Sequence, residues 1–195
     1  GMVHGVIVAE RAATRENDPM ESSLEVYADV WCPFAHVGLR LVVEQFRRAG
    51  GNIPIVVRAW PLELVNGSPM DPDKTKGNIG RLRASVAPNA FNGFNAATFP
   101  RTTIPAMALT ARAYRISNEA GLAMALAVRD ALFEEGLDVS DTGVLARIAD
   151  RLGTGTAEAQ DIESVHADWE RGKQRGVIGS PHFFCGGVES FCPSL

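Results

Sequence analysis

The 195 residues hold only three cysteines and two tyrosines. There is no apolar run near the roughly 20 residues that a membrane-spanning helix needs, so no membrane association is expected. Three cysteines, an odd number at widely spaced positions, are not the framework of a disulfide-stapled secreted domain and point to a reducing cytoplasm. Lysine is scarce, and the 19 basic residues are mostly arginines scattered among 23 acidic ones. With a net charge of −4 and no dense basic patch, nucleic acid is not an expected partner. The N-terminal stretch also reads as a poor signal peptide. Val3 to Ala9 is apolar but broken by His4 and Gly5, with no basic lead and no small-residue cleavage site. Gly1 before Met2 reads as a tag scar, and residues 1–23 as a flexible lead-in. The whole chain, 46% hydrophobic and 22% charged, has the composition of a soluble globular protein able to bury a core.

One further absence bears on chemistry. Leu24 to Val30 alternates Leu, Val, Ala and Val with Glu, Tyr and Asp, the period-2 pattern of a strand. Trp31-Cys32-Pro33-Phe34-Ala35-His36 follows, with Pro33 suited to the first position of a helix. A thiol at such a start meets unpaired N–H groups and the positive end of the helix dipole, which favour the thiolate. The pattern therefore predicts a Cys32 pKa below the ordinary value of about 8.5. Three residues on, where a dithiol site would carry its second sulfur, stands Ala35.

The rest alternates in character. Pro33 to Arg48 reads as a helix closed by Gly50-Gly51, and Ile53 to Trp60 as a β-branched strand, giving a βαβ unit. Pro61 to Pro100 is broken by Gly, Asn and Pro clusters, with one short helix near Ile79 to Ser85. Ile104 to Leu152 is helical throughout. Ser117 caps Asn118 to Glu135, and Asp141 caps Thr142 to Leu152. Thr156 is the expected cap of a helix to about Lys173, with Ile162, Val165 and Trp169 inward. His182 to Cys185 and Val188 to Phe191 flank Gly186-Gly187, a hairpin signal. The expected organisation is two flanking segments, 24–60 and 156–195, around a helical insertion over 61–155.

The Cys32-Pro33-Phe34-Ala35 segment, the order of elements, and Gly176-Val177-Ile178-Gly179-Ser180-Pro181-His182-Phe183-Phe184 together resemble the DsbA-like branch of the thioredoxin superfamily. That branch includes FrnE-type dithiol-disulfide isomerases, 2-hydroxychromene-2-carboxylate isomerases and kappa-class glutathione transferases. The resemblance, over about Leu24 to Phe191, implies an α/β thioredoxin-like fold with an inserted helical domain. It implies a cis bond before Pro181, with the Ser180 backbone pairing a peptide or glutathione. Two features depart from the family pattern. Ala35 replaces the resolving cysteine, as in members that use a single Cys or Ser with glutathione. The usual helix after the last strand has no room in Cys192 to Leu195, so a truncated chain or a second subunit, as in a homodimer, is expected to bear on that face.

Cys32 is thus the candidate catalytic residue, and Ser180, Pro181, Phe34, His36 and Trp31 are candidate substrate contacts. His36, one turn beyond Cys32, is placed to bond the thiolate or a substrate, although a core histidine fits as well. Phe91, Phe94 and Phe99 are expected to form a groove above the site. Asp29, near the strand end, is placed to influence the Cys32 pKa, although a solvated strand residue fits better. Cys185 reads as a packing residue and Cys192 as an exposed thiol. A metal held by His182 and Cys185 is not expected, because positions 182 and 185 of a strand face opposite ways. No permanently bound cofactor is expected. The leading function is a thiol-disulfide oxidoreductase or isomerase working through a mixed disulfide, with glutathione or protein thiols and disulfides as partners. The alternatives are a glutathione-dependent transferase or cis-trans isomerase of a small aromatic compound, and a redox-inactive peptide-binding protein.

Overall fold

Leu24–Ala28, buried on both faces except at Glu25, forms the central strand β1 of a four-stranded sheet. The computed structural model describes residues 23–50 and 53–191. The expectations for residues 1–22, for Gly51 and for Cys192 fall outside these. β1 ends at Ala28, a turn through Val30 and Trp31 follows, and helix α1 (Pro33–Arg48) begins with Cys32 as its N-cap and Pro33 just inside. Strand β2 (Ile55–Ala59) pairs parallel to β1, with Val26 opposite Val57. At the far end of the chain, β3 (His182–Cys185) lies antiparallel to β1 on its other side. The Gly186-Gly187 loop, both residues at positive φ, then turns the chain into β4 (Val188–Phe191). The order β2-β1-β3-β4 is a mixed α/β sheet of thioredoxin type.

The helices between β2 and β3 follow their caps. α2 (Leu62–Asn66) ends at Gly67 in the left-handed region. α3 covers Pro72–Ser85, a full 14 residues where only a short helix near Ile79 to Ser85 was expected. Its start signal was present: the Asp71 carboxylate accepts from the N–H groups of Asp73 and Lys74, and Pro72 follows. Gly77 and Gly80, poor helix formers, masked it; both lie where a Cβ would meet open space. α4 (Ile104–Tyr114), α5 (Asn118–Phe133, capped by Ser117) and α6 (Thr142–Leu152, capped by Asp141, closed by Gly153) follow. α7 runs over Ala159–Arg175 and is started by Glu158 and Asp161 as a reciprocal capping box, not by Thr156. Val165 is fully buried, but Ile162, expected inward, is 44% exposed.

The inserted helices share a continuous apolar core with Val30, Trp31, Val37 and Ala59. A second cluster joins β1, β2 and β3 to the inner face of α1, including Leu39, Phe46 and Cys185. Strand β2 is a sheet edge, and side chains close it. The Tyr114 hydroxyl accepts from the Val57 N–H at 2.8 Å and donates to the Ile55 carbonyl at 3.1 Å. Asp168 accepts from the Ala59 N–H at 3.2 Å. An edge covered in this way offers no free ladder to another chain along those groups.

Candidate functional site

Three pieces of chain meet at the head of α1: the turn after β1, the N-terminal turn of the helix, and the loop before β3. Proline at the first helical position leaves Cys32 in an extended conformation (φ −81°, ψ 113°) with its side chain at the helix start. The Ser180–Pro181 peptide bond is cis. The Cys32 thiol donates to the Ser180 carbonyl oxygen at 3.1 Å across 148 residues of sequence. The Ser180 hydroxyl accepts from the Asp29 N–H at 2.9 Å, a second tie between the two loops. Cys32, Ser180 and Pro181 are therefore brought together, with Cys32 only 4% exposed and Pro181 buried.

The electrostatics reverse an expectation. Burial pushes the Cys32 thiol pKa up, and the nearby Asp29 carboxylate adds to this. Hydrogen bonds from the Ser180 side chain and from the N–H groups of Ala35 and Phe34 pull the other way. The helix start thus favours the thiolate as the sequence predicted, but removal from water outweighs it. At rest Cys32 is a thiol donating its proton to a carbonyl.

Asp29 is a second correction. Far from solvated, its carboxylate is wholly buried and accepts from Leu62 N–H at 2.6 Å, Thr103 Oγ1 at 2.7 Å and Trp31 N–H at 3.3 Å. Burial raises its pKa to about 6 despite those bonds. Arg129, on α5, is also buried and donates to the Asp29 carbonyl at 3.2 Å and to the Ala125 carbonyl at 2.7 Å. Asp29, Thr103 and Arg129 form a polar floor beneath Cys32 that sequence patterning missed. The nearest signal was an arginine inside the apolar stripe of α5.

His36 is buried, but its ring does not turn to Cys32. Nε2 lies 2.8 Å from Glu134 Oε1, between the rings of Phe91 and Phe133 at 5.1 and 4.9 Å. Glu134 also accepts from the N–H groups of Phe91 and Asn92, so this pair clamps the loop before α4 onto α1 and α5. Burial drives the His36 pKa down to about 4, which keeps the ring neutral with Nε2 as donor. Trp31 is buried too, stacked on Phe99 at 5.9 Å. Phe94 and Phe99 pack edge to face at 6.0 Å, while Phe91 is 2% exposed and belongs to the core, not to a groove. Phe34 is half-buried where the two apolar clusters meet. His182 accepts at Nδ1 from the Ile178 N–H, and Cys185 packs in the strand core. Among the described residues no group of three His, Cys, Asp or Glu side chains is placed to hold a metal. Among the same residues no helix is long and apolar enough to cross a membrane.

Asp29 and His36 oppose one another in acid. Between about pH 4 and 6 the folded chain binds a proton at Asp29 that the unfolded chain, with its ordinary carboxyl value of 3.8, does not. Over the same range the unfolded chain binds a proton at His36, ordinarily 6.5, that the folded chain does not. The first makes stability fall as pH rises, the second makes it rise, each by about 1.4 kcal/mol per pH unit. Their contributions therefore cancel. Asp29→Asn removes one of them, so urea unfolding of that variant is expected to lose stability relative to the native chain as pH falls from 6 to 4. A constant difference across that range would contradict the assignment.

The profile of the DSBA-like thioredoxin domain family matches residues 23–193. No curated protein matches the sequence. Solved structures share the fold at low identity. The chain superposes on a 2-hydroxychromene-2-carboxylate isomerase with a TM-score of 0.64, at 16% identity over 87% of this chain and 88% of that one. It superposes on the cytosolic disulfide reductase DsbM of Pseudomonas aeruginosa, solved with GSH, with a TM-score of 0.67, at 15% identity over 86% and 88%. A probable DsbA oxidoreductase of Streptomyces coelicolor gives 0.60, at 18% identity over 86% and 82%. With the family match spanning the strand, the Cys32 helix and the cis-proline hairpin alike, the chain belongs to the DSBA-like thioredoxin domain family.

Proposed function

We propose that this protein is a monothiol disulfide oxidoreductase of the cytoplasm, working with glutathione through a mixed disulfide at Cys32. The observation that carries this is the bond from the Cys32 thiol to the Ser180 carbonyl beside cis Pro181. A disulfide substrate that pairs in strand fashion with the Ser180 backbone competes for that carbonyl. Displaced from it, the thiol gives its proton to solvent and is left as a thiolate facing the Phe34 and Ala35 N–H groups. The thiolate attacks one sulfur of the substrate disulfide; the old S–S bond breaks, and the other sulfur leaves as thiolate and takes up a proton. An external thiolate then attacks the substrate sulfur of the mixed disulfide, because position 35 carries no sulfur. A new disulfide forms between those two sulfurs, and Cys32 leaves as thiolate and takes up a proton. Phe34 and the Phe94–Phe99 pair are the apolar surfaces offered to the substrate. Glutathione as partner is supported by the shared fold of DsbM, which was solved with GSH.

Incubation with oxidised glutathione followed by peptide mass mapping tests this. One glutathione on Cys32 is expected, released by reduced glutathione and absent in Cys32→Ser. An unmodified Cys32 would remove the oxidoreductase reading. A second reading draws on the protonated resting thiol, which can donate a hydrogen bond to a bound glutathione sulfur without forming a disulfide. It makes the protein a glutathione-dependent isomerase or transferase of a small aromatic compound. That reading expects no adduct and glutathione-dependent turnover that survives Cys32→Ser, whose hydroxyl keeps the donor.

A further inference from the structure

A cavity of about 320 Å³ opens along the outer edge of β2, between α4, α5 and α7, and neither Cys32 nor Ser180 borders it. This is near the lower bound of the ~300–1,000 Å³ typical of small-molecule sites. Val57, Met107 and Ala111 give it an apolar side, and Arg129 borders it from α5.

The charges around the cavity are matched with one exception. Arg58 bonds Glu25 and lies 3.5 Å from Asp168, and Arg115 is joined to Asp161 and Glu158. Asp168 also takes the Ala59 N–H, and the Tyr114 hydroxyl is engaged by β2. Arg129 is different. It is 1% exposed, its Nε has no partner, and among the described residues no salt bridge reaches it. Its bonds go to backbone carbonyls, which leave some of its five N–H donors unmet. The Asp29 carboxylate attracts Arg129 through space, but its oxygens are bonded to Trp31, Leu62 and Thr103. Burial lowers the Arg129 pKa to about 10, so it stays charged at neutral pH. Asp29 therefore compensates this buried cation through space without bonding it, and an anion placed directly at its side adds to that compensation.

We propose that this cavity binds a small organic carboxylate, its anionic end on Arg129 and its apolar body along Val57, Met107 and Ala111. Neither Cys32 nor Ser180 lines this cavity, although Arg129 also belongs to the floor of the thiol site, and binding there needs no sulfur chemistry.

Isothermal calorimetry of the full chain with benzoate, and with benzyl alcohol as the neutral analogue, tests it at neutral pH. Benzoate is expected to bind saturably at one site, and benzyl alcohol at least tenfold more weakly. Arg129→Met, which removes the charge while filling similar space, is expected to lose at least tenfold in benzoate affinity. Ala111→Phe, which fills the cavity and leaves Arg129 in place, is expected to do the same and decides the matter if Arg129→Met does not fold. Cys32→Ser is expected to bind benzoate as the native chain does, so the result stands or falls apart from the thiol reading. No saturable binding, equal binding of the alcohol, or undiminished binding by Ala111→Phe would each overturn the proposal and leave a water-filled cavity.

Discussion

Asp29→Ala is expected to cost about 2–4 kcal/mol of stability, the largest loss foreseen for any single side chain at the site. The carboxylate is the acceptor for two backbone N–H groups and one hydroxyl, all drawn from different segments. Alanine leaves the Leu62 N–H and the Thr103 hydroxyl buried with nothing to accept their hydrogens, and each orphaned donor costs about 1–3 kcal/mol. Part of the loss is offset, because the native carboxylate is ionised at neutral pH against a raised pKa. Asp29→Asn retains one acceptor oxygen and is expected to cost less. Its second effect is on the thiol. Removing the negative charge that helps hold the Cys32 pKa up makes the thiolate easier to form, so alkylation by iodoacetamide at neutral pH is expected to quicken. Urea unfolding measures the first effect, and the pH dependence of alkylation the second. An Asp29→Asn protein alkylated no faster than the native one would show that burial alone sets the resting thiol.

Ala35→Cys is expected to convert the chemistry in kind. Position 35 is fully buried in the first turn of α1, and its N–H already reaches the Cys32 sulfur. A second sulfur there stands within the same turn, so the mixed disulfide formed at Cys32 resolves internally to a 32–35 bond. With oxidised glutathione the variant is expected to lose two hydrogens, where the native chain gains a glutathione. It is also expected to reduce insulin when supplied with a dithiol. The added sulfur must fit a packed site, at an expected cost of about 1–3 kcal/mol. A folded variant that stops at the glutathione adduct would mean that the two positions are not poised for disulfide geometry.

The elements that built the site were largely legible because local chemistry sets them. Cys32-Pro33 marks a helix start, Gly186-Gly187 marks a hairpin, and Ser117 and Asp141 mark caps, all within a few residues of what they control. The floor of the site was not legible. An aspartate at a strand end and an arginine on an apolar helix look like surface residues until packing across 100 residues brings them together. His36 carried both readings in sequence, and what decides between them is Glu134, almost 100 positions away. The thiol's protonation state was misjudged for the same reason. Dipole and N–H groups are local, whereas exclusion of water depends on the loop that carries Ser180.

That dependence has a temporal side. The partner that shields the Cys32 sulfur is encoded 148 residues downstream. At translation speeds of about 5–20 residues per second, roughly 7 to 30 s pass between synthesis of the cysteine and synthesis of the serine that covers it. Until Ser180 has been made, the sulfur lacks the carbonyl that accepts its hydrogen in the folded chain. The acceptor of this sulfur is thus made long after the helix that carries it.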